Sequence, residues 1–76
     1  VINLQLSGKP EEQSVVFISD LILGHYYIAE LNRRGGDMLA WSLVPAAYDG
    51  RITRVPSRAV PRKVWKQAYR MLIEQP

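Results

Sequence analysis

The sequence predicts an α+β fold: a small antiparallel sheet of about four strands and two helices, in the order β-β-α-β-β-α. Three observations predict it. The N-terminal residues alternate apolar and polar side chains, short β-branched and aromatic runs recur between turn signals, and the last fifteen residues carry helical periodicity.

"VINLQLS" places Ile2, Leu4 and Leu6 on one side and Asn3, Gln5 and Ser7 on the other, the pattern of a half-buried strand. "GKPEEQ" follows as a turn or short loop, and "SVVFIS" reads as a second strand antiparallel to the first. From Ser19 to Gly36 the sequence supports two readings. As a helix, Ser19 or Asp20 supplies the N-cap, Arg33 and Arg34 fall in the last turn, and Gly35 or Gly36 ends it. Gly24 then sits inside the helix at a cost of about 1 kcal/mol relative to alanine. As strands, "HYYIAELN" and "DMLAWSLV" form a hairpin around "RRGG", which tyrosine and isoleucine favour. The punctuation at both ends selects the helix as the expectation.

"DMLAWSLVPAA" alternates Leu39, Trp41 and Leu43 with Ala40 and Ser42, a strand with Pro45 expected at an edge or at its end. "YDG" carries the Asp-Gly pair of tight hairpins, and "RITRV" returns as a partly exposed strand. "PSRAVP" is a prolyl connector. A helix follows from Pro61, with Val64, Ala68, Met71 and Leu72 forming its core stripe.

Seventy-six residues make one small domain over residues 1–76. The chain begins with valine, as a piece of a longer chain would. It has no cysteine and a single histidine, His25. Disulfides, thiolate ligands and a structural zinc site are thereby excluded, so packing and self-association are the remaining sources of stability. The lack of cysteine suits a reducing cytoplasm. No apolar stretch has the length of a membrane span, because Asp20 and His25 interrupt the longest one.

Charge is unevenly distributed. Residues 1–48 hold three cations against five acids, whereas residues 49–76 hold seven cations against two. On the last helix Lys63, Lys66 and Arg70 share a face with Arg62 beside them, and Arg51, Arg54 and Arg58 precede them. Such a ridge can neutralise phosphates, and Trp65 or Tyr69 can stack on an unpaired base. A solvated helix face has the same composition, and no helix-turn-helix, RNP-like strand or zinc finger accompanies it.

Nothing in the chain reads as a catalytic constellation. His25 lacks a partner beyond the Ser19-Asp20 cap, Glu11-Glu12 lie in a turn, and "RRGGD" lacks the phosphate-loop pattern. The expectation is a non-catalytic protein-interaction domain without cofactor or metal, docking on a protein partner or on itself as a homodimer. Tyr26, Tyr27, Tyr48 and Tyr69 are the candidate interface aromatics, and the basic residues form its rim. The alternative is a DNA- or RNA-binding protein that contacts phosphates through the C-terminal helix.

Overall fold

A computed structural model describes residues 2–33, 39–55 and 57–73, without the side chains of residues 33, 39 and 40. Among the described residues are five strands and one helix: β1 (Leu4–Ser7), β2 (Val15–Asp20), β3 (His25–Arg33), β4 (Leu39–Tyr48), β5 (Ile52–Arg54) and α1 (Arg62–Ile73). The strands form a single antiparallel meander in chain order, β1-β2-β3-β4-β5. The class is α+β with a small sheet, but the expected four strands and two helices are corrected to five and one.

The correction falls on residues 19–33. Asp20 does accept from the amides two and three residues on, as a helix N-cap would: its Oδ1 lies 3.0 Å from Ile22 N and 3.1 Å from Leu23 N. The chain then turns back. Gly24 donates to the Asp20 carbonyl at 2.8 Å and takes a φ of +74°, a conformation a side chain opposes. His25 onward pairs with β2 in the register Ser19↔Tyr26, Ile18↔Tyr27, Phe17↔Ile28. The same cap therefore closes a hairpin instead of opening a helix. The "RRGG" segment proposed as the hinge of the strand reading falls largely within residues 34–38, outside those described.

Register assigns two faces. Leu4, Leu6, Val16, Ile18, Tyr27, Ala29, Leu31, Trp41 and Leu43 share one, and α1 covers it with Val64, Ala68 and Leu72. Tyr27, Val16, Ile18, Ala29 and Ala68 are essentially inaccessible, so the core lies between helix and sheet. The helix begins one residue after Pro61, whose carbonyl accepts from Trp65 N at 3.0 Å.

Pro45 lies inside β4 and is buried, not at the strand's end. Its carbonyl accepts from Val55 N at 2.8 Å, so its ring nitrogen faces the same side, where the β5 ladder has just stopped at Arg54. Proline therefore withholds the second bond of that pair, and the ladder ends there. The Asp-Gly turn joins β4 to β5 with Tyr48 opposite Ile52 and Gly50 at φ +78°.

Candidate functional site

The sheet face away from α1 carries the side chains opposite in pleat to the core. Reading across the strands, one row runs Ser7, Phe17, Ile28 and Val44, and the next runs Gln5, Ser19, Tyr26, Ala46 and Arg54. Val15 and Glu30 lie beyond the first row, Tyr48 and Ile52 beyond the second. No described helix covers this face. Phe17 keeps 37% of its surface exposed, Val15 42% and Tyr48 59%, while Ile28 and Ala46 beneath them are buried.

Two contacts organise the face. Tyr26 and Tyr48 meet with ring centroids 5.8 Å apart at 42°. Arg54 forms an ion pair with Glu30 and, to reach β3 from β5, lies across β4. Ser42 Oγ accepts from Asn32 Nδ2 at 3.1 Å and approaches the Glu30 carbonyl at 3.4 Å, making a polar border. Glu30 and Arg54 are the two charges that strand alternation assigns to this face among the described residues, and they neutralise each other.

The basic residues singled out by sequence divide into separate groups. Arg54 belongs to the sheet face. Arg58 is half-buried and donates from Nη2 to the carbonyls of Ala46 at 3.1 Å and Tyr26 at 3.4 Å, tying the connector to β3 and β4. Arg51 is exposed in the β4–β5 turn. Arg62, Lys63, Lys66 and Arg70 are exposed on α1.

The tyrosines divide as well. Tyr27 is only 1% exposed and belongs to the core, which removes it from the surface set. Burial pushes its phenol above the ordinary 10.0; Arg58 opposes that shift and Asp20 adds to it. Tyr26 is half-buried and Tyr48 exposed, both on the helix-free face. Tyr69 lies on α1 beside Trp65, with centroids 6.0 Å apart at 49°. His25 is half-buried opposite Asp20 at the hairpin end.

Phe17 and Val15 are surface residues that sequence reasoning left inside a strand without a face. The signal was there: "VVFI" is apolar at four successive positions, so a strand built from it must show apolar groups on both sides. The hairpin tip also presents Leu21, Ile22 and Leu23, each more than half exposed.

Among the described residues, no group of three or more His, Asp or Glu could hold a metal ion, and no helix is long and apolar enough to cross a membrane. Sheet and helix define a five-stranded antiparallel meander backed on one side by a C-terminal helix. The chain matches no protein-family model, no curated protein and no solved structure.

Proposed function

We propose that this chain is a non-catalytic interaction domain that docks through its helix-free sheet face, with a second copy of the chain as occupant. The observation that carries the reading is the chemistry of that face. It is partly apolar, and its two charges cancel on a chain of net charge +3. Two like-charged copies repel, so they associate most readily where each presents a neutral surface. Tyr26 and Tyr48 supply the ring type enriched at energetic centres of interfaces, and the Glu30–Arg54 pair supplies a polar element.

Size sets the expected strength. Five strands about 4.8 Å apart, with about six residues along the length of the central strands β2, β3 and β4, give a footprint of roughly 20 Å by 20 Å. That is about half the 800 Å² per partner of a standard interface, which suits a reversible dimer with a dissociation constant in the micromolar range or weaker. Amide chemical shifts followed on dilution test this. Val15, Phe17, Tyr26, Tyr48 and Ile52 are expected to move together, with Lys63 and Lys66 unaffected. Shifts confined to α1, or none over the accessible concentrations, would overturn the assignment of the face.

A further inference from the structure

We infer that a second surface, the groove beside α1, binds single-stranded nucleic acid by stacking a base on Trp65 and Tyr69 and holding adjacent phosphates with Arg62 and Lys66. This site is independent of the sheet-face reading, because α1 packs on the opposite side of the sheet.

The geometry starts from helical spacing. Arg62, Trp65, Lys66 and Tyr69 stand at i, i+3, i+4 and i+7, so one face of α1 carries two cations and two rings. Together with Val60 from the connector they line a shallow groove of ≈ 510 Å³. Trp65 is half-buried and packed against the core, which fixes its ring before any ligand arrives. Tyr69 remains 40% exposed, tilted 49° to Trp65. A planar group entering the groove meets aromatic surface already in place.

Charge selects the ligand. The twelve residues of α1 include Arg62, Lys63, Lys66 and Arg70 and no acid. Among the described residues, Arg62, Lys63 and Lys66 are not held in ion pairs. A carboxylate peptide would satisfy these cations and leave the rings without a partner. Duplex DNA offers phosphates but keeps its base faces stacked inside. A single strand offers phosphates and free base faces together, which matches both halves of the groove.

The protein contains two tryptophans, and Trp41 is buried. Quenching of Trp65 fluorescence in a Trp41→Phe background therefore reads stacking directly. The probes are twenty-nucleotide oligo(dT) and oligo(U), with a duplex of equal length, polyglutamate and phosphatidylserine vesicles as competitors. Single strands are expected to quench Trp65 and to outcompete the duplex, the polypeptide and the vesicles. With two phosphates neutralised by Arg62 and Lys66, the log–log salt slope is about −1.4, a loss of roughly sevenfold between 50 and 200 mM salt. Tyr69→Ala is expected to weaken binding about tenfold at fixed salt. Lys66→Glu should weaken binding and flatten the slope. Circular dichroism is the check that both variants fold. Several results would overturn the proposal: no quenching at low salt, equal binding of duplex, polyglutamate or vesicles, or a folded Tyr69→Ala variant with unchanged affinity.

Discussion

Replacing Asp20 with alanine removes the group that closes the β2–β3 hairpin. The carboxylate is 2% exposed and accepts two backbone amides, Ile22 N at 3.0 Å and Leu23 N at 3.1 Å. Hydrogen bonds to a charged acceptor are worth about 1.5–3 kcal/mol each when the donors would otherwise be stranded. Here Ile22 and Leu23 lie in an exposed turn, so water replaces part of what is lost. Removing a buried carboxylate also returns desolvation energy. The balance falls near the loss of a helix N-cap, about 1–2 kcal/mol. A domain of this length has total stability of about 4–11 kcal/mol, so the effect is a sizeable fraction of it. Urea unfolding at fixed protein concentration, followed by tryptophan fluorescence, measures the change. The corresponding drop in melting temperature is about 5–15 °C. Asp20→Asn keeps an acceptor oxygen and is expected to recover at least half of the loss. Amide exchange at Ile22 and Leu23 should accelerate in Asp20→Ala more than exchange at Ile18. An alanine variant within 0.5 kcal/mol of the parent, or unchanged exchange at those amides, would refute the role of Asp20 as the hairpin clasp.

Three other perturbations test the core and the faces. Leu72→Ala opens a cavity under α1, where Leu72 is 4% exposed, and is expected to cost about 2–5 kcal/mol in urea unfolding. A loss below 1 kcal/mol would mean that the helix is not docked on the sheet as described. Tyr27 carries a raised phenol, so the folded state holds its proton more tightly than the unfolded state does. That contribution is fully present below the ordinary value of 10.0 and is lost as pH rises from there through the folded value. Between pH 9.5 and 11 the parent should lose more stability than Tyr27→Phe, and parallel pH profiles would count against it. Arg58→Ala frees the carbonyls of Tyr26 and Ala46 and is expected to cost about 1–2 kcal/mol in urea unfolding, and a loss below about 0.5 kcal/mol would count against that tie.

Much of this fold was legible because each element carries its own period. "VINLQLS" alternates cleanly, "YDG" marks a tight turn, and α1 shows its core stripe in Val64, Ala68 and Leu72. β3 was not legible for a physical reason. It lies in the middle of the sheet, and Tyr26 and Ile28 are covered on one face while Tyr27 and Ala29 are buried on the other. A two-sided strand shows no alternation, so its apolar run satisfies a helical template equally well. Asp20 deepened the ambiguity, since an oxygen capping the amides two and three residues on begins a helix or closes a turn. Gly24, awkward in a helix and suited to φ +74°, was the residue that favoured the turn. The basic ridge had the same limit. Lys63, Lys66 and Arg70 could be placed by helical spacing alone. The fates of Arg54 and Arg58 depend on strand register and on the path of the connector, which only the assembled fold supplies.

The claim that the helix-free face docks a second copy is tested most directly by sedimentation equilibrium of the parent and of Phe17→Lys, at about 10 µM to 1 mM. Phe17 is on the exposed side of β2, so a lysine there can reach solvent without disturbing the core, while in a dimer it places a charge inside the neutral contact. The parent is expected to show a reversible monomer–dimer equilibrium in that range, weakened at least tenfold in Phe17→Lys. A monomer at every concentration, or a dimer that Phe17→Lys leaves intact, would contradict the account.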